Sequence, residues 1–306
     1  MFDSIQEIIE YANKHNMTFA EIMIQHEMDM RQMSREDVIG LMQKNLDVMR
    51  DAVEKGTTGE GVKSVTGYTG QDAIRVQKYL ENNHALSGNE MIEAVKGAVA
   101  TNEVNAAMGI ICATPTAGSS GTIPGVLFKL EQTHGLTNEQ MIEFLFASSL
   151  CGMVIANNAS VAGATGGCQA EVGTASAIAS AAAVQTFGGT PDQAGHALAI
   201  SLSNLLGLVC DPVAGLVEIP CVMRNAIGSG NGLISADLAL AGVESKIPVD
   251  EVIMAMDKIG RNLPASLRET GIGGLAGTPT GEAIKAKIFG DKKEESQEKD
   301  PVETLS

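Results

Sequence analysis

Apolar residues in this chain recur at helical spacing, and stretches that alternate apolar with polar are almost absent. In "REDVIGLMQKNLDVMRDAV", Val38, Leu41, Met42, Leu46, Met49 and Val53 fall on one helical stripe. A sheet needs runs of period two, so the pattern predicts an all-α protein. Start signals agree. Thr18 with Glu21 and Ser87 with Glu90 have capping-box spacing, Ser34 stands before the third helix, and Thr190 precedes Pro191. Aromatic residues make up only 3% of the chain and tryptophan is absent. Alanine, glycine and methionine fill the interior instead, which predicts helices packed closely through small side chains.

Two helices and a longer third are expected to fill residues 1 to about 55. The glycine-broken stretch 54–71 then separates an N-terminal helical layer, 1–56, from a main body, 57–290. The remainder, 291–306, reads "DKKEESQEKDPVETLS", has little to bury, and is expected to be disordered. No internal repeat is visible.

A formal charge of −16 argues against a nucleic-acid surface and against anionic membranes. The apolar stretches 141–156 and 196–210 are shorter than the ~20 residues of a membrane span. Both contain polar groups such as Glu143 and Asn204, so they read as buried helices. The N-terminus lacks the layout of a secretory signal. With five cysteines, an odd count, a disulfide framework is not expected and a cytoplasmic location is.

Four long runs of small residues interrupt the helices: "CATPTAGSSGTIPG" (112–125), "SVAGATGGCQAEVG" (160–173), "VCDPVAGLVEIPC" (209–221) and "TGIGGLAGTPTG" (270–281). Helix-to-helix connections are normally short and polar. Glycine ends helices in isolated cases, but dense clusters bring bare N–H groups toward a polar or anionic guest. In the first run Thr114, Thr116, Ser119 and Ser120 supply hydroxyls, and Gly118 and Gly121 supply N–H groups. The run lacks the lysine of a phosphate-binding P-loop. A plain connector is the competing reading. Asn157 and Asn158 end an apolar helix and are either further donors or C-caps.

Cys168, Cys210 and Cys221 lie in two of these runs. Cys151 sits inside a helix, and Cys112 is read as closing one; both follow apolar residues and look like core filler. No C-x-x-C spacing occurs. Spacing alone leaves the three loop thiols open between core filler, metal ligands and catalysts. Cys168 precedes a helix expected to begin near Ala170, whose positive end favours a thiolate. Cys210 is followed by Asp211-Pro212, and Cys221 follows Pro220.

Together, "ATPTAGSSGTIPG", "GATGGCQAEVG", "CDPVAGLVEIPCVMRN" and "GIGGLAGTPTG" resemble the α chain of the iron–sulfur-dependent bacterial L-serine dehydratases, over nearly the whole chain to about Gly290. The cysteine spacings, with 41 and 10 intervening residues, fit that pattern. The resemblance implies a helical catalytic domain whose glycine-rich loops surround a [4Fe–4S] cluster held by Cys168, Cys210 and Cys221. It implies L-serine as substrate and pyruvate and ammonia as products; the hydroxyls and N–H groups of Thr114, Thr116, Gly118, Ser119 and Ser120 then read as a nest for the substrate carboxylate, with Asn157 a further donor. With only three thiolate ligands one iron is left open, a position suited to the departing hydroxyl. The alternative route, through pyridoxal phosphate, needs a Schiff-base lysine, and Lys129, Lys246 and Lys258 occupy ordinary helix or loop settings.

No general base is visible. His15, His26, His84 and His134 read as surface or helix-end residues, and His196 as a core histidine. In the family the base belongs to a Ser-His-Thr-type motif of the β chain, which is absent here, so a β chain is the expected partner. Two other functions fit the residues: a related elimination such as L-cysteine desulfidation, and a non-catalytic helical protein that carries a cluster.

Overall fold

The computed structural model describes residues 2–290; the expected disordered stretch 291–306 lies outside them. The fold is all-α. Among the described residues the only β pairings are two isolated bridges, Lys63 with Gly70 and Cys210 with Arg268.

Helices α1 (Ile5–His15), α2 (Phe19–Arg31) and α3 (Arg35–Thr57) come first and share one hydrophobic core with the helices that follow. Ser4, Thr18 and Ser34 each cap one by accepting a backbone N–H three residues on. Then follow α4 (Asp72–Asn82), α5 (Asn89–Ala106), α6 (Thr122–His134) and α7 (Asn138–Asn158). After the short α8 (Gly163–Gly166) come α9 (Thr174–Thr186), α10 (Pro191–Asn204), α11 (Cys221–Leu240), α12 (Val249–Asn262) and α13 (Pro279–Phe289).

Helix α9 is the axis of the molecule. It packs against α6, α7, α10 and α11, and every residue from Thr174 to Val184 is buried. A helix enclosed on all sides has no polar face to show. Its sequence, "TASAIASAAAVQT", keeps the neighbours close. The same device joins α5 to α6, where a Cβ at Gly125 would stand 2.6 Å from the Ala94 carbonyl oxygen. Helix α7 is long and apolar enough to cross a bilayer, but it lies against α2 and α9 with most of its apolar window buried in the protein.

Two expectations fail here. Ser87 does not cap α5: the helix begins one residue later, behind Gly88 at φ 87°, and Asn89 accepts the Ala85 N–H instead. Cys112 does not close a helix. Helix α5 stops at Ala106, Met108 takes a left-handed φ of 60°, and Cys112 follows in irregular chain, its thiol facing the Asn45 carbonyl. Gly109 marks the stop, since a Cβ there would meet Val104 at 2.5 Å.

Helix α4 has no side-chain cap of its own. Glu103, wholly buried on α5, supplies one by accepting the Asp72 N–H at 2.7 Å and the Ala73 N–H at 3.4 Å. Burial pushes its carboxyl from 4.5 up to about 7, against the two N–H groups that favour the charge. The folded value is the raised one. Its stabilising contribution is therefore full below about 4.5 and is lost as pH climbs through about 7. Thermal unfolding followed across that window should show a falling midpoint, and Glu103→Gln should flatten that part of the slope.

Candidate active site

The break after α7 has a structural purpose. The chain leaves Asn158, makes the single turn α8, and passes Gly167 at φ 78°. It then enters a π-helical turn, Gln169–Gly173, that runs directly into α9. Such wide turns are frequent at functional sites. Gln169, fully buried, fixes this one: its amide donates to the Gly166 and Met256 carbonyls and accepts the Gly207 N–H. Cys168 stands at the head of the turn, 3% exposed.

Cys210 is held by its backbone. Its N–H donates to the Leu267 carbonyl at 2.9 Å, and its carbonyl accepts the Glu269 N–H at 2.7 Å. Cys221 is the first residue of α11, directly after the cis Ile219–Pro220 peptide. Cys168 and Cys210 pack in one small apolar cluster with Val172. The ionisation of Cys210 is opposed by Cys168 and Cys221, and that of Cys221 by Cys168, so the three thiols face one another electrically. Burial is the largest cause at each, pushing Cys168 to about 12 and the other two well above the ordinary thiol value. Cys151 lies apart in α7, raised by burial alone.

One cation serves this group. Arg224 on α11 reaches Asp211 at 2.8 Å and the Val209 carbonyl at 2.7 Å, and its charge favours thiolate at Cys168 and Cys221. It also ties the start of α11 to the segment bearing Cys210. Among the described residues no three His, Cys, Asp or Glu side chains converge as they would on a single metal ion.

The sequence reading overlooked Glu171. It is 9% exposed, in the middle of the π turn, and accepts the Thr116 hydroxyl at 2.7 Å. Desolvation raises its pKa, although the Thr116 hydroxyl and the Gly163 N–H both favour the carboxylate. No Lys or Arg pairs with it among the described residues. A Cβ at Gly163 would stand 2.6 Å from its Oε2 and 2.9 Å from the Cys210 sulfur, so only glycine leaves room for both. A signal was present: Glu171 is the only Asp, Glu, Lys or Arg between Glu143 and Asp192.

The 112–125 run meets this carboxylate. Thr116 bonds it, and a Cβ at Gly118 would lie 3.2 Å from its Oε1. Ser119 donates to the Thr114 carbonyl, and Ser120 donates to Asn102 Oδ1 and the Ala117 carbonyl, so both shape the loop. The Gly121 N–H is taken by Asn225, a second residue the sequence did not single out. Asn225 is fully buried; its oxygen also accepts the Thr122 N–H, and its amide donates to the Gly118 and Cys221 carbonyls. It thereby fastens the loop to the first turn of α11. The Thr114 hydroxyl is buried without a partner, on the wall of a cavity of about 510 Å³ that carries no charged side chain. Asn157 is exposed in the last turn of α7, and Asn158 donates to the Asp3 and Val154 carbonyls.

The other candidates lie elsewhere. His196 on α10 acts electrically on Glu244, beyond the end of α11 opposite Cys221, about 30 Å along that helix. Lys129, which the sequence places in an ordinary helix setting, is buried and pairs with Glu90 at 3.3 Å. It lines a cavity of about 700 Å³ that none of the three thiols reaches.

The family model for the serine dehydratase alpha chain matches residues 14–276. A probable L-serine dehydratase alpha chain of Bacillus subtilis is 56% identical over 290 residues, 95% of this chain and 96% of that one. The L-serine dehydratase alpha chain of Peptoniphilus asaccharolyticus is 42% identical over 93% of this chain and 97% of its own. An L-serine dehydratase of Streptomyces coelicolor is 33% identical over 90% of this chain, but the match spans only 60% of that longer protein.

Proposed function

The chain belongs to the serine dehydratase alpha chain family, and on that premise we propose that it is the α chain of a two-chain lyase. The reaction is dehydration and deamination of L-serine to pyruvate and ammonia, with a [4Fe–4S] cluster on Cys168, Cys210 and Cys221. The donor set supports the cofactor. Three buried thiols from separate segments act on one another electrically beside one half-buried arginine. Bound thiolates would escape the cost that keeps these thiols protonated, and Arg224 offsets part of their charge. When bound, the cluster supplies a Lewis acid for the departing hydroxyl.

The observation that carries the substrate reading is Glu171, a buried carboxylate that no Lys or Arg pairs with among the described residues. A substrate ammonium supplies the missing charge. Thr116 holds the carboxylate in place, and Thr114 and Gly118 line the loop beside it. Ser119 and Ser120 keep the loop in shape, and Asn157, at the turn out of α7, is the remaining donor assigned to substrate. The geometry excludes bulk water from Glu171, which strengthens a charge pair formed there.

Removal of the Cα proton needs a base; the carboxylates that act on Cys210 are Glu171, given above to the ammonium, and Glu269, and the family resemblance points instead to a base on the β chain. We therefore assign the base to the partner β chain. The relatives' lengths support a second component: 280 aligned residues make up about three-fifths of the longer L-serine dehydratases. The test is an anaerobic assay of the iron-loaded chain with and without its partner. The isolated chain should hold iron yet turn over serine more slowly by about a hundred- to ten-thousand-fold, the usual worth of general-base help. Full turnover alone would place the base here, and Glu171 rather than the distant His196 would be replaced first. L-cysteine in the same assay separates desulfidation from dehydration. Iron without turnover of either amino acid, even with the partner, would mark a cluster carrier.

A further inference from the structure

The outward face of α11 carries an apolar stripe that the described residues leave largely uncovered. Met223 is 48% exposed, Ile227 65%, Ile234 49% and Leu238 37%. Their spacing of four, seven and four residues puts them on one strip of the helix, roughly 60° wide at 3.6 residues per turn. Scattered exposed apolar residues need no account, but an aligned row does.

Two further features say what covers it. The first is charge. In a chain of net charge −16, residues 222–238 of α11 hold two charged side chains: Arg224, which turns inward to Asp211, and Asp237, exposed beside Leu238. Depletion of charge marks the centre of an interface, and it matters most where an acidic protein meets itself. The second is symmetry. Met223 and Leu238 lie equally far from the midpoint between Gly230 and Asn231, and so do Ile227 and Ile234. Two identical helices crossing antiparallel on a two-fold axis pair each residue with the one equally far beyond the axis. A row that reads the same from both ends is what such a pair requires; a foreign partner requires no such symmetry. At the centre Gly230 has no side chain, the Met91 sulfur lies 3.3 Å from where its Cβ would be, and Asn231 is turned to Ser176 and Ser201, so only one flexible side chain stands beside the crossing point.

We propose that the outer face of α11 is a homodimer contact, with Ile227 of each copy against Ile234 of the other and Met223 against Leu238. It holds whatever the reaction. Four side chains alone fall short of the ~800 Å² per partner of a stable complex, so the association depends on concentration.

The register makes the test specific. Sedimentation velocity of the full chain over a range of concentrations should show a monomer–dimer equilibrium. Ile227→Glu and Ile234→Lys should each be monomeric, because each sets a charge against an isoleucine. Mixed, they should associate, since one interface then holds a Glu–Lys pair and an intact Ile–Ile pair. The double variant carries two such ion pairs and should dimerise by itself. Circular dichroism of each variant guards against misfolding, and a cysteine pair avoids charge altogether. Ile227→Cys with Ile234→Cys should form an intermolecular disulfide on mild oxidation, whereas Ile227→Cys alone should not, because its two copies are offset by seven residues, about 10 Å. A monomer at every concentration would overturn the proposal. So would a dimer indifferent to both single variants, or cross-links from positions 227 and 234 to the β chain rather than to a second copy when both chains are present.

Discussion

Cys210→Ser should leave a folded chain that contains no cluster and has background activity, when purified anaerobically with its partner. The backbone of Cys210 is fixed between Leu267 and Glu269 by bonds that a serine keeps, so the segment should stay in place. What is lost is the thiolate. A serine hydroxyl is far less acidic, and burial already opposes ionisation at this position. Cys168→Ser and Cys221→Ser should behave alike. Cys151→Ser and Cys112→Ser should retain iron, because the first lies apart in α7 and the second faces Asn45. Iron and acid-labile sulfide are the readouts, independent of turnover. Full loading in the Cys210 variant would remove the ligand assignment.

The second large effect is expected at Glu171. Glu171→Gln should lower kcat/KM by roughly 30-fold to a few thousand-fold, since losing one side of a buried charge pair costs about 2–5 kcal/mol. The loss should fall mainly on KM, because the ammonium is held in ground state and transition state alike. Iron content should not change, which separates this variant from the cysteine series. Stability at neutral pH should hold or rise, since burial disfavours the carboxylate and the amide is spared that cost. Wild-type kcat/KM in a fully loaded Glu171→Gln enzyme would exclude the ammonium assignment.

The helices were legible because their signals are local. Caps at Thr18, Ser34 and Thr190 and the stripe from Val38 to Val53 depend on neighbours a few residues away. Ser87 misled because the chain turned again at Gly88 before the helix began, and the capping spacing carries no record of that turn. The site was legible only in part. Its loops stood out by their glycines, and the resemblance attached the three thiols to them. Asn225 and Gln169 were silent, since a polar residue in an apolar helix reads the same whether it bonds three distant segments or faces solvent. Glu103, which caps a helix other than its own, was hidden for the same reason. Glu171 could have been found, as an isolated charge in a long neutral stretch is costly to bury and needs a purpose.

The closed surroundings of α9 bear on how this protein can vary through descent. Alanine and serine occupy most of that helix because no space exists for anything larger, and each added methylene would force its neighbours apart at about 1–3 kcal/mol. Residues 174–184 should therefore drift more slowly than the glycine-rich loops around the three thiols, although none of them belongs to those loops. Invariance there would reflect volume rather than chemistry. A reader seeking the active site by sequence constancy alone would be drawn to the one helix that does nothing but hold the others at the right distance.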